Sequence, residues 1–500
     1  MAEFDIAVIG GGINGTGIAR DAAGRGLKVL LVEQNDLGSG TSSASSKLVH
    51  GGLRYLEHWA FGLVRDSLKE REILLHAAPH LVRPARFVMP IDPNGRPEWQ
   101  LRIGFWLYDW LAKGGTLPPA TVLDLNSHLA GTPLKRNYFA AFEYSDCLVD
   151  DSRLVVHNAI DAAERGATIR PRTRCMRLDR SDEWTMVLNR RGQRWVTTAR
   201  VLVNCTGPWL PQFNELVMRD KKPAPVRLVK GSHVVIPRLT GHDRPYLFQH
   251  LDKRVIFAIP FENDYTLIGT TDLDFIGDLA AVSPTKEEIA YLCDAASNYF
   301  REFVSTGDVI WAFSGVRSLY DRGKRTAQEA SRDHKVVHDA RSRKAPLITL
   351  YGGKLTTYRG VAEEIVNKLM IYFVPQRPWT AGAKLPGGDL SGDTLAQFTE
   401  RLQSDRPFLS DNVAARMAGA YGTRVERILG SARSFDDLGP HLGHGLTAGE
   451  VRYLMRHEWA ETADDVLWRR TKLGLQLQPD ERDAVARFVD AERGVSTAAE

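Results

Sequence analysis

Few cysteines, no long apolar run and little charge imbalance set the first bounds on this chain. Its four cysteines, Cys147, Cys175, Cys205 and Cys293, include no CxxC pair. Neither a zinc site nor a disulfide framework is therefore indicated, and they read as small buried residues without chemistry of their own. No metal site is expected. No run of about 18 apolar residues occurs, and Glu3 and Asp5 precede the first strand-like stretch, so neither a spanning helix nor a signal peptide is expected. The default compartment is the cytoplasm. The 65 Lys and Arg exceed the 61 Asp and Glu by only four over 500 residues, too little to imply nucleic acid as a partner. No internal repeat is visible. At 43% hydrophobic and 25% charged residues the chain can bury a large core, and its length allows about two to four domains.

What is present starts at the N-terminus. Asp5-Ile6-Ala7-Val8-Ile9 is a β-branched apolar run ended by Gly10-Gly11-Gly12, and Gly15 to Gly24 has the Ala-rich texture of a helix. Lys28-Val29-Leu30-Leu31-Val32-Glu33 then reads as a second buried strand ending in an acid. Residues 5 to 33 thus form a βαβ unit of the usual ~30-residue length. Within it, Gly10-x-Gly12-x-x-Gly15 meets the needs of a dinucleotide. Gly10 permits the turn, Gly12 lets a pyrophosphate approach the backbone beside Ile13 and Asn14, and Gly15 lets helix and strand pack. The Glu33 carboxylate can accept hydrogen bonds from ribose hydroxyls and repels a 2′-phosphate, which disfavours NADP.

The next segments favour FAD over NAD. Thr41-Ser42-Ser43-Ala44-Ser45-Ser46-Lys47 and His50-Gly51-Gly52-Leu53-Arg54-Tyr55 follow the second strand. Hydroxyls and exposed amides there can line a pyrophosphate and a ribityl chain, and paired glycines let main chain lie against a flat ring. Val203 to Trp209 ends a strand in Thr206-Gly207, which would let the chain pass close to the adenosine end. Gly352-Gly353-Lys354-Leu355-Thr356-Thr357 starts a helix whose amides suit the negative charge that a reduced flavin develops.

Further on, Arg200 to Asn204 reads as a strand, and Asp151 to Arg165 and Lys286 to Glu302 as helices. Lys384-Leu385-Pro386-Gly387-Gly388 is a linker-like break. Residues 389 to 500 read as a helical C-terminal domain whose last residues, Gly494 to Glu500, form a loose tail. Trp99 to Lys113 is dense in aromatics with basic flanks. A core helix is expected there, with a bilayer-interface helix as the alternative.

Taken in order, Gly10 to Glu33, Thr41 to Lys47, His50 to Leu56, Phe142 to Cys147, Lys230-Gly231-Ser232-His233, Ile268 to Asp272, Gly315-Val316-Arg317 and Gly352 to Tyr358 resemble the FAD-dependent glycerol-3-phosphate dehydrogenases. The resemblance covers nearly the whole chain. It implies an α/β fold: a Rossmann-like FAD-binding domain of the D-amino-acid-oxidase-like class, an interleaved mixed-sheet substrate domain and the helical C-terminal domain. The FAD-binding parts are placed at about 1–78, 142–230 and 317–380, and the substrate parts at about 79–141 and 231–316. It also implies oxidation of sn-glycerol 3-phosphate to dihydroxyacetone phosphate, with electrons passed to a quinone. The protein would then attach peripherally to the inner face of the cytoplasmic membrane, and a homodimer is kept open as its assembly. Two residues depart from the family pattern: Ser318 stands where proline is common, and Cys205 where a small residue such as alanine is usual.

A phosphate dianion calls for guanidinium forks. Arg54, Arg317 and Arg332 are the candidates, and by resemblance all three are active-site residues. Oxidising the C2 hydroxyl needs a base, for which His233 is chosen and His50 is the runner-up. Tyr55 and Thr270 are candidate partners of substrate oxygens, and Lys354 a bridge between flavin and phosphate. Catalysis is thus placed on His233 and Arg317. The alternatives are a glycerol-3-phosphate oxidase using oxygen, an amine oxidase on the same fold, and a non-catalytic flavin-binding module.

Overall fold

The strands Phe4–Ile9 and Val29–Val32 pair in parallel, and Phe4–Ile9 pairs in parallel on its other side with Gln193–Asn204. This computed structural model describes residues 2–93, 95–219, 225–249, 254–321, 333–340 and 344–497. Around those three strands lies an eight-stranded sheet. Thr168–Arg170 extends it beyond Val29–Val32, and Leu347–Tyr351 and Lys335–Asp339 extend the opposite edge. Alternation along the strands sorts the residues between two covers. Ile6, Val8, Val29 and Leu31 meet the helices Ile13–Gly24, Asp151–Glu164 and Tyr358–Leu369. Ala7, Ile9, Leu30 and Val32 meet the antiparallel pair Arg174–Arg180 and Trp184–Arg190. Both faces are buried, so the central strands read as continuous apolar runs.

Among the described residues the second sheet has ten strands. Its longest antiparallel ladder joins Val226–Pro237 to Trp311–Tyr320, from Val226 opposite Tyr320 to Val235 opposite Trp311. Ala140–Val149 pairs with Val82–Pro90 along its length. The helix Lys286–Tyr299, three residues shorter than its apolar spacing predicts, closes one face through Leu292, Ala295 and Ala296. The boundaries expected at 142, 230 and 317 fall inside Ala140–Val149, Val226–Pro237 and Trp311–Tyr320, all strands of this sheet. The last two carry His233 and Arg317.

Helices Leu395–Asp405, Asp411–Tyr421, Ala448–His457 and Pro479–Thr497 surround a separate core that includes Leu402, Met417, Leu454 and Val485. The stretch before them is no loose linker. Leu385 N–H donates to the Ala77 carbonyl at 2.8 Å, and a Cβ on Gly387 would lie 2.2 Å from the Tyr421 carbonyl oxygen. The expected loose tail is corrected as well. The last helix runs through Gly494 to Thr497, because a helix docked by Val485 and Val489 propagates without further apolar spacing. Residues 498 to 500 lie outside the described ones.

Trp99 to Lys113 also departs from the expected core helix. In Glu98–Leu111, Phe105 and Tyr108 are buried, but Trp99, Trp106 and Trp110 are 64%, 66% and 58% exposed. The aromatics fall on two faces, and only one of them packs.

Candidate active site

A cavity of about 500 Å³ opens beyond the C-terminal ends of Phe4–Ile9 and Gln193–Asn204 and reaches the second sheet. In open α/β sheets this is where ligands bind. Gly10 has φ +113°, and a Cβ there would lie 2.4 Å from the Cys205 carbonyl oxygen. A Cβ on Gly15 would come within 1.9 Å of the Gly10 carbonyl oxygen, so Gly15 serves packing and does not line the cavity. Gly12, Ile13 and Asn14 line it. Ile13 N–H donates to Ser42 Oγ at 3.0 Å. Asn14 Oδ1 is buried without a partner among the described residues. Across from Asn14 lies Gly353, with φ +99°, where a Cβ would come within 3.1 Å of Asn14 Nδ2.

At the end of Val29–Val32, Glu33 accepts from Gly11 N–H and Asn35 N–H, both at 2.7 Å. Burial pushes its pKa up against these bonds. Thr206 and Gly207 line the same end. A helix N-terminus, an anchored acid, an orphaned acceptor and glycines that leave main chain bare together fit a dinucleotide.

Thr41, Ser42, Ser45 and Ser46 line the cavity, but Lys47 does not. Its buried ammonium donates to both Asp151 oxygens, at 2.9 and 3.0 Å, and to the Ser43 carbonyl. Lys47, expected beside the cofactor, therefore pins this loop through Asp151. Gly51 also turns away, its N–H on Tyr108 Oη at 3.0 Å. Gly52, with φ +80°, and Leu53 form the wall, as do Gly353, Leu355 and Thr356.

Toward the second sheet the wall carries Arg54, Tyr55, Thr270, Arg317, Lys354 and His50. Lys354 Nζ sits 3.7 Å over the Tyr55 ring. Arg317 Nη1 reaches Asp272 Oδ1 at 2.6 Å. His50 N–H donates to Thr356 Oγ1 at 3.2 Å. Burial, and then the charge of Lys354, lower the imidazole pKa of His50 to about 4.

His233 does not line the cavity. Its Nε2 lies 2.9 Å from Ser46 Oγ, its ring stacks on Phe313 at 5.0 Å, and its Nδ1 is buried without a partner among the described residues. A Cβ on Gly269, opposite it in the ladder, would fall 2.0 Å from its ring. Burial first, then Arg317 and Lys47, hold its pKa down to about 3. His233, expected as the base, thus meets the cavity lining through the Ser46 hydroxyl. Arg332 lies outside the described residues. Asp272, which orients Arg317, ends the Ile268 to Asp272 segment of the resemblance, but the sequence assigned it no role.

Fold and site together define an FAD-dependent oxidoreductase. A model of that family, FAD dependent oxidoreductase, matches residues 5–359, and one of the C-terminal domain of alpha-glycerophosphate oxidase matches residues 379–497. The chain is 44% identical to the aerobic glycerol-3-phosphate dehydrogenase of Escherichia coli (strain K12), over 98% of each chain. It is 45% identical to the D-erythritol 1-phosphate dehydrogenase of Brucella abortus (strain 2308), over 98% of this chain and 99% of that one. The X-ray structure of the glycerol-3-phosphate dehydrogenase from Bacillus halodurans complexed with FAD superposes with a TM-score of 0.76 at 27% identity, covering 99% of this chain and 95% of that one. The chain belongs to the FAD-dependent glycerol-3-phosphate dehydrogenase family, and its cofactor is FAD.

Proposed function

We propose that the protein oxidises sn-glycerol 3-phosphate at C2 to dihydroxyacetone phosphate and passes the electrons to a membrane quinone. The observation that carries the reading is the convergence of Arg54, Arg317 and Lys354 on one wall with a histidine held neutral. Bound FAD supplies the hydride acceptor. Arg317, oriented by Asp272, and Arg54 bind the phosphate, with Arg332 as a further candidate. Tyr55 and Thr270 hydrogen-bond substrate oxygens, and Lys354 sits between phosphate and cofactor. His50 takes the C2 hydroxyl proton. His233 acts behind it, holding the Ser46 hydroxyl in place at 2.9 Å. Ser46 also offers a second route by which that proton reaches an imidazole.

Quinone reduction requires a membrane surface. Among the described residues no helix is long and apolar enough to cross one. The exposed face of Trp99, Ile103, Trp106 and Trp110 supports attachment in the plane of the interface. Gln100, Leu101 and Gly104 of the same helix line the cavity, so the site opens next to that face. The Brucella relative supports a second reading, a longer polyol phosphate as substrate.

Anaerobic addition of sn-glycerol 3-phosphate to the flavin-loaded protein should bleach the flavin absorbance, and a quinone analogue should restore it faster than air. Faster recovery in air would make the protein an oxidase. Bleaching by erythritol phosphate and not by glycerol 3-phosphate would favour the second reading, and no bleaching by either would reject both. Sedimentation of the same sample tests for a homodimer.

A further inference from the structure

Between Glu33 and Ser42, the residues Glu33, Gln34, Asn35, Gly38, Ser39, Gly40, Thr41 and Ser42 all line the cavity. Asp36 and Leu37 do not; they are buried on the opposite side of the loop. The Asp36 carboxylate is gripped there by the C-terminal domain. Arg470, fully buried, donates Nη1 to Asp36 Oδ2 at 2.7 Å and Nη2 to Asp36 Oδ1 at 2.8 Å, a two-pronged pair. Arg469 adds Nε to Oδ2 at 2.5 Å. Consecutive side chains of an ordinary helix diverge by about 100°. Here Asp465–Arg470 forms a widened turn, with Thr471 N–H on the Val466 carbonyl five residues back, and both arginines reach one carboxylate. Widened turns of this kind recur at functional positions.

The same segment also holds the start of the helix Asp151–Glu164. Lys472 Nζ reaches Asp150 Oδ1 at 2.6 Å and Ser152 Oγ at 3.1 Å. The intervening Asp151 binds Ser45 Oγ at 2.7 Å and the Lys47 ammonium, behind the hydroxyls that line the cavity. Arg469, Arg470 and Lys472 therefore brace the loop and this helix start from outside, although none of the three lines the cavity.

We propose that Arg470 is a positioning residue for FAD, with Arg469 and Lys472 as its partners, and that one task of the C-terminal domain is to hold the 33–47 region in its cofactor-retaining shape. Losing the two-pronged pair frees the loop that presents Glu33 to the adenosine end. FAD should then leave faster while the flavin ring site stays intact.

The test uses the full-length holoenzyme and the variants R470K, R470Q and K472M. Flavin fluorescence follows FAD release on dilution and on heating, and far-UV circular dichroism follows unfolding in the same sample. In R470Q, FAD release should speed up by about tenfold or more, since hydrogen bonds to a charged group are being lost. The temperature of release should fall below that of unfolding, with KM for the substrate unchanged at saturating FAD. R470K should be intermediate. K472M, less drastic because Asp150 still caps its helix, should show the same separation to a smaller degree and serves if R470Q does not fold. Release that coincides with unfolding in every folded variant, at the wild-type rate, would overturn the proposal and leave a purely structural ion pair. The inference rests on FAD as the ligand of the cavity. Wild-type protein that neither carries nor takes up FAD would defeat that reading instead, so the two failures are distinct.

Discussion

Arg317 and Asp272 form an ion pair at 2.6 Å, with the carboxylate nearly buried and the guanidinium at the cavity wall. The arginine proposed to bind the phosphate is thereby fixed in direction before the ligand arrives. Replacing Asp272 by Asn keeps the shape and removes the charge. KM for the phosphate-bearing substrate should rise about tenfold, with a smaller change in kcat. Steady-state kinetics at saturating FAD measure this, and an unchanged KM would detach Asp272 from substrate binding.

His50 and His233 stay neutral to low pH. With pKa values lowered to about 4 for His50 and about 3 for His233, the proposed base is ready throughout the neutral range. The acid limb of kcat/KM should therefore lie below about pH 5, well under the ordinary histidine value of about 6.5. H50Q should lower kcat by about 100-fold or more, and H233Q by less, with FAD still bound. Equal activity of H50Q and wild type across the profile would remove His50 as the proton acceptor.

His80 and His157 face each other with ring centroids 5.1 Å apart where the C-terminal domain docks. Burial, followed by Arg153, lowers the pKa of His80 to about 3. The unfolded chain takes up that proton near pH 6.5 and the folded chain only near 3. Stability from this group is thus complete above 6.5 and lost as pH falls through the window between, at about 1.4 kcal/mol per pH unit. H80L should flatten the acid side of the stability curve by that slope, as read from denaturant unfolding at several pH values. An identical slope in H80L would show that other groups set the acid limit.

Trp106 and Trp110 are exposed on the helix Glu98–Leu111. Replacing both by Asp should abolish binding to anionic liposomes and slow electron delivery to a membrane-embedded quinone, while activity with a soluble acceptor persists. Circular dichroism checks that the fold is retained. Unchanged flotation with liposomes would place the membrane contact elsewhere or nowhere.

The glycine turn was legible because its constraints are local. The turn at Gly10, the approach of Gly15 to the Gly10 carbonyl and the bond from Gly11 N–H to Glu33 lie within one βαβ unit, and the spacing of the glycines and the acid specifies that unit before any distant contact forms. The split of Trp99 to Lys113 into a buried and an exposed aromatic face was not legible, since residue types alone do not say which stripe meets Phe142 and Tyr144. Nor was the turning away of Lys47, whose carboxylate partner Asp151 lies 104 residues further along the chain.

By itself, then, the order of residues determined a dinucleotide-binding α/β chain, a polar loop suited to FAD and a helical C-terminal domain, because glycine spacing, strand ends and apolar periodicity are properties of short segments, while the family came from the resemblance its motifs carry. Only the tertiary structure decided which cations face the cavity, that Ser46 meets His233, and that Arg470 reaches back across the molecule to Asp36. A side chain's exposure and charge state depend on whatever the rest of the chain places against it, and that placement comes from packing between segments far apart in sequence.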